Sequence, residues 1–213
     1  MSSRLPEQGL KPEYWERAKR TLSKRDPVMA RIIRAYPRVY LQPRGEPFHT
    51  LARAIVGQQI SVKAAQSVWN RFADLALEVH PERIIELKAS QLRACGLSGR
   101  KCEYIQDLAR RFTDGHVHIK KWPQMSDEEV VADLVQVRGI GRWTAEMFLM
   151  FNLLRPDVFP LDDLGLRKGI RLAYFKRKPS LSSMRRLGET WRPYRSVATW
   201  YLWRSLDPVP VEY

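Results

Sequence analysis

The sequence predicts an all-α protein, on three observations. Apolar residues recur at helical spacing along most of its 213 residues. No alternating period-2 run is long enough to build a sheet. Two glycines, Gly139 and Gly141, form a tight turn between two amphipathic runs, the pattern of a helix–hairpin–helix.

Taken in order, Pro12 to about Leu22 is a short amphipathic helix that turns Tyr14, Trp15 and Ala18 inward. Asp26-Pro27 is a cap followed by proline at the first helical position; it opens a helix through Val28, Ile32 and Ile33 that Tyr36-Pro37 ends. Residues 37–46, PRVYLQPRGE, read as a crossing segment. Phe48, Leu51, Ala52, Ile55 and Val56 mark the next helix. Ser61 then caps one whose apolar stripe is Ala65, Val68, Trp69, Phe72 and Leu75. Shorter pieces follow at Ile84–Leu87 and Leu92–Cys95, with Gly96 as a stop. Ser98 precedes a helix that buries Cys102, Ile105, Leu108, Ala109 and Phe112. His116 and His118 stand two apart without further ligands, a spacing that fits surface or strand positions better than a metal site.

Ser126 and Glu129 form a capping box before Val130, Val131 and Leu134. After the glycine turn, Arg142 to Leu154 reads as a second helix with Ala145, Phe148, Leu149 and Phe151 inward. Free N–H groups at such a turn, with the helix dipole behind them, can hold a phosphate oxygen. The proline loop DVFPLDD then delivers Asp162 and Asp163 to a helix from Leu164 to about Phe175. Both acids could be caps, but one helix needs only one, so the doubled acid invites a catalytic reading. Leu181–Trp191 and Tyr194–Ser205 are the last helices.

The composition favours a polyanionic partner. With 37 Lys+Arg against 23 Asp+Glu the formal charge is +14, which makes nucleic acid the leading class; a ribosomal or membrane-surface partner fits the charge alone as well. Cys95 and Cys102 belong to no metal-type cluster. The opening residues lack an apolar signal core and no run approaches membrane-spanning length, so the expected location is the cytoplasm, on the nucleoid in a bacterium.

GIGRWTAEMFLMF followed by DVFPLDDLGLRKG closely resembles the helix–hairpin–helix DNA glycosylase superfamily, in its alkylpurine branch of 3-methyladenine DNA glycosylase II (AlkA-type) enzymes. The resemblance extends to AIVGQQISVKAA at 54–65, to GLSGRK at 96–101 with Tyr104 and Ile105, and to WRPYRS at 191–196 with Trp200 and Trp203. It implies two helical lobes with a cleft between them: residues 46–155 as one, 1–45 with 156–213 as the other. The AlkA-type enzyme also has a β-rich N-terminal domain, for which this chain has no room. Some relatives hold an iron–sulfur cluster after the last helix; here Asp207-Pro208-Val209-Pro210 and the three residues after it supply no cysteine, which implies none.

The resemblance also assigns roles. Gly139, Gly141 and Thr144 would grip phosphate, and the carbonyls of Val135, Val137 and Ile140 would hold a structural Na+ or K+; no other cofactor is implied. Gln59 occupies the place of the residue that fills the gap left by an extruded base. Trp203 and Trp143 would line a base pocket, where an electron-rich ring attracts a cationic methylated purine. Met147 stands near a position that is aromatic in a relative, which would shift the lesion range. Asp163 would be the catalyst, with Asp162 capping or supporting it. Relatives that also cut the strand use a lysine where this chain has Trp143, so the implied activity is monofunctional excision of alkylated purines from double-stranded DNA, by a monomer, leaving an abasic site. The alternatives are a non-catalytic binder of bent or damaged DNA and a glycosylase for deaminated or oxidised bases.

Overall fold

The computed structural model describes residues 11–207, and among these it contains twelve α-helices, one short 3-10 turn and no strand. The all-α expectation holds. The no-leader reading of the first ten residues and the cluster-free reading of residues 208–213 fall outside the described segment. No helix among the described residues is long and apolar enough to cross a membrane.

The helices are α1 (Trp15–Arg25), α2 (Pro27–Ala35), α3 (Pro47–Gly57), α4 (Val62–Ala76), α5 (Pro81–Glu86), α6 (Ala89–Ala94), α7 (Gly99–Thr113), α8 (Asp127–Val135), α9 (Arg142–Phe151), α10 (Leu164–Tyr174), α11 (Leu181–Thr190) and α12 (Arg195–Leu206). Side-chain caps set several starts. Asp26 accepts from Val28 N and Met29 N at α2, and Ser61, Ser98 and Ser180 cap α4, α7 and α11. The capping box at Ser126 and Glu129 is formed in both directions. Helix α9 stops at Phe151, short of the expected Leu154, whose φ of +50° cannot continue a right-handed helix.

The chain separates into two compact units. The first is Arg44–Phe148; the second gathers residues 11–43 and 149–207. The division therefore falls inside α9, where the sequence placed it at 155/156.

In the first unit, α3 and α7 pack together, with α4 on α3 and α5 and α6 on α7. Phe48, Leu51, Ile55, Phe72, Ile84, Leu92, Ile105 and Leu108 are buried between them. The turn before α8 is tied by a buried carboxylate: Asp133, 3% exposed, accepts from the backbone N–H of His118 (2.9 Å) and Nε1 of Trp122 (2.7 Å), and its other oxygen lies 2.7 Å from Nδ1 of His118. The ring of Trp122 meets Phe148 edge to face. His118 is thus engaged by a carboxylate that fixes a turn.

In the second unit α12 is central. Eight of its twelve residues, from Ser196 to Leu202 and Arg204, are buried, so it is covered on all sides, with α1, α2 and α10 against it. Gly169 lets α10 approach closely: a methyl group there would stand 3.1 Å from Cβ of Leu202.

Candidate active site

In the first unit the helix–hairpin–helix forms as the spacing required. Helix α8 ends at Val135, residues 136–141 make the turn, and α9 begins at Arg142. Gly139 is there for two reasons. Its φ is +83°, and a Cβ would lie 2.3 Å from Cδ2 of Tyr104, whose ring rests on the turn. Gly141 is exposed, with open space around it. Arg142 is engaged by Glu128 and Glu146, and its pKa rises above the usual arginine value chiefly through the Glu128 bond.

The loop after α3 lies against this turn. Nε2 of Gln58 donates to the carbonyl of Gly139 (2.8 Å), and Nζ of Lys101 donates to the carbonyls of Val56 (2.8 Å) and Gln58 (2.7 Å). Burial pulls the Lys101 ammonium below the ordinary lysine pKa. Gln59 follows at φ +59° with its side chain exposed, and Ile60 is 40% exposed.

In the second unit the proline loop is stapled to the start of α12. Arg195 binds the carboxylate of Asp157 (Nε–Oδ1 2.8 Å), Oγ of Ser196 donates to the carbonyl of Arg155 (2.6 Å), and Val158 N donates to that Oγ (2.9 Å). The loop then reaches Asp163, which proves to be the N-cap of α10 itself: its Oδ1 accepts from Leu166 N (2.6 Å). The capping given to Asp162 therefore needs correction. Asp162 is exposed and pairs with Arg167, because an Ncap side chain must fold back onto the first turn and only Asp163 is placed to do so.

Oδ1 of Asp163 also accepts Nε1–H of Trp203 (2.9 Å), from the last turn of α12. The Trp203 ring stacks on Phe151, with planes 9° apart and centroids 6.0 Å apart. Gly165 keeps the corner open, since a Cβ there would crowd Oδ1 of Asp163 (3.1 Å) and Nε1 of Trp203 (3.2 Å). A carboxylate is thus fixed by two N–H donors beside a half-buried indole. Such a pair can stabilise positive charge and present an aromatic face to a flat ligand.

The model of the HhH-GPD superfamily, base excision DNA repair proteins, matches residues 52–193. The chain belongs to that superfamily. DNA-3-methyladenine glycosylase 1 of Schizosaccharomyces pombe is 38% identical over 167 residues, which cover 75% of this chain and 72% of that protein. Among solved structures, a DNA-3-methyladenine glycosidase from Bacillus halodurans is similar with a TM-score of 0.83 at 31% identity, covering 89% of each chain. The S. pombe 3-methyladenine DNA glycosylase Mag1, in complex with abasic DNA, gives 0.76 at 33% identity, covering 92% of this chain and 100% of that one.

The remaining candidate residues of this HhH-GPD chain are placed as follows. Trp143 is 39% exposed in the first turn of α9, and Met147, half-buried, lies one turn further along the same face. Thr144 is 9% exposed. Val135 belongs to the last turn of α8, where carbonyls lack helical partners, and the carbonyl of Val137 accepts Ile140 N (3.1 Å). Sequence reasoning gave no role to Gln58, Lys101, Tyr104 or Phe151. No spacing rule pairs Gln58 with a turn eighty-one residues away, and Phe151 read only as core.

Proposed function

We propose that this HhH-GPD protein is a DNA glycosylase that hydrolyses the N-glycosidic bond of alkylated purines, of the 3-methyladenine and 7-methylguanine type, in duplex DNA. The observation that carries the proposal is the carboxylate of Asp163, oriented by Leu166 N and Trp203 Nε1 against a half-buried indole. The names of the relatives, DNA-3-methyladenine glycosylases, support the choice of lesion.

The hairpin N–H groups around Gly139 and Gly141 hold a phosphate, and Gln59 fills the gap as the damaged base leaves the stack. The base settles by stacking and cation–π attraction against Trp203. Its bond to C1′ then breaks, and the bonding electrons go to the base, which departs neutral because methylation had made it cationic. Positive charge grows on the sugar, and the Asp163 carboxylate stabilises it. A water oxygen bonds to C1′, and its proton passes to that carboxylate or to solvent. Trp143 offers no amine for a Schiff base, so the product is an abasic site with the strand intact. The carbonyls of Val135, Val137 and Ile140 present oxygen donors suited to a hard cation; a bound Na+ or K+ would add positive charge near the phosphate. The working form is a monomer acting in the compartment that holds the DNA, the cytoplasm in a bacterium.

The test is to incubate the protein with methylated duplex DNA, chromatograph any free bases, and examine the strand before and after hot alkali. Release of 3-methyladenine with breakage only after alkali is the expected result. Tight binding with no base released would instead mark a damaged-DNA binder, and release only of deaminated or oxidised bases would move the lesion class.

A further inference from the structure

The loop after α3 is anchored more heavily than the end of a helix needs. Helix α3 ends at Gly57, and a lysine near a helix C-terminus commonly satisfies its last carbonyls. Lys101 does this for Val56 and Gln58, but from α7, with a partly buried ammonium that bridges the carbonyls on either side of Gly57. A second anchor runs onward: the Gln58 side chain reaches across to the carbonyl of Gly139, inside the phosphate-type turn. A third closes the circuit, since Tyr104, three residues after Lys101 on α7, packs its ring on that same Gly139. Capping explains the first anchor and leaves the other two unexplained.

The hydrogen bonds all act on backbone oxygens, and the residues just beyond them are left outward. Gln59 holds a left-handed backbone with its side chain exposed, and Ile60 next to it is an exposed large apolar residue. A flexible loop that had to be ordered while inserting into a duplex would lose binding free energy to its own conformational entropy. A loop already fixed to the phosphate-gripping turn avoids that loss.

We propose that Lys101 and Gln58 are positioning residues: they lock the 57–61 loop to the hairpin so that Gln59 and Ile60 together form a preset two-residue wedge. In this wedge Ile60 supplies apolar surface against the opened base step and Gln59 supplies hydrogen bonds. The inference rests on the glycosylase reading, in that it gives the wedge a base to displace, but its contacts lie wholly within the first unit.

A double-mutant cycle tests it. Lys101→Met and Gln58→Leu are each made in the wild-type background and in a Gln59→Ala/Ile60→Ala background. The readouts are single-turnover base release, affinity for a duplex with an abasic site, and fluorescence of 2-aminopurine beside the lesion as a signal of extrusion. In the wild-type background each anchor variant slows release and weakens abasic-duplex affinity about tenfold, and in the wedge-less background by less than about twofold, because positioning matters only while there is a wedge to position. Lys101→Arg, which keeps a cation within reach of the carbonyls, retains most of the rate. Equal costs in both backgrounds would overturn the proposal and leave Lys101 and Gln58 as ordinary fold contacts. If Lys101→Met does not fold, Gln58→Leu alone decides, since it removes one part-buried hydrogen bond. If the wild-type protein releases no base, the glycosylase reading fails, while the abasic-duplex affinities still complete the cycle for the wedge.

Discussion

Asp163 caps a helix, and in the proposed reaction it has a second task, stabilising charge on the sugar. The two can be pulled apart by substitution, because asparagine caps a helix about as well as aspartate and alanine does not. Asp163→Asn should therefore melt close to the wild-type temperature, while Asp163→Ala should lose about 1 kcal/mol, read by chemical denaturation. Trp203→Phe keeps an aromatic ring on Phe151 but deletes the Nε1–H donor to Oδ1. It should slow base release about tenfold, the effect expected when a hydrogen bond to a charged group is lost, with little change in abasic-DNA affinity. An unchanged rate would mean that the Trp203 bond does not orient the carboxylate. The doubled acid was legible in the sequence, and motif order singled out Asp163. Its bond to a tryptophan forty residues away was not, because local patterning carries no information about a contact made only in the folded unit.

At the scale of elements, the hairpin is the part the sequence described best. Its glycines, capping box and apolar spacing are all local signals, and the helices form where those signals lie. What local signals missed were its supports, the Tyr104 ring against Gly139 and the buried Asp133 that ties the preceding turn. Gly139→Ala meets both a left-handed backbone and a ring atom 2.3 Å from the new methyl group. The backbone conformation alone costs about 1–2 kcal/mol. Displacing Tyr104 adds to this, about 1–3 kcal/mol for an overpacked site. The expected outcome is a lower denaturation midpoint together with weaker duplex binding; a variant of full stability would show that the turn can relax away from Tyr104. The early end of α9 was illegible for a different reason: apolar spacing continues to Leu154, and nothing local reveals its left-handed backbone.

For the whole molecule, charge is informative through its distribution. Between Leu164 and Gly188 the chain carries eight basic residues and no acidic one, directly after the aspartate pair. Arg167 pairs with Asp162, and the other seven make no ion pair with a carboxylate among the described residues. By contrast, Arg192 and Arg195 are neutralised by Asp157 and Glu189. A basic surface of this kind should make duplex affinity steeply salt-dependent, falling about a thousandfold between roughly 50 and 200 mM salt if some six phosphates are contacted. A nearly flat dependence, measured by fluorescence anisotropy with undamaged duplex, would contradict a backbone-gripping role for this charge. Composition announced the polyanion, and motif order announced the chemistry. The two compact units were inferred from the resemblance, and their dividing point inside α9 is a property of packing that no linker composition marks.

The central claim is that the negative charge on Asp163 drives the bond cleavage. Its most direct test compares wild type and Asp163→Asn in single-turnover release of 3-methyladenine from methylated duplex, with affinity for abasic duplex measured alongside. The account predicts that release falls by about two to three powers of ten while affinity stays within about twofold, as for loss of one preorganised electrostatic group. Release by the asparagine variant at the wild-type rate would contradict it.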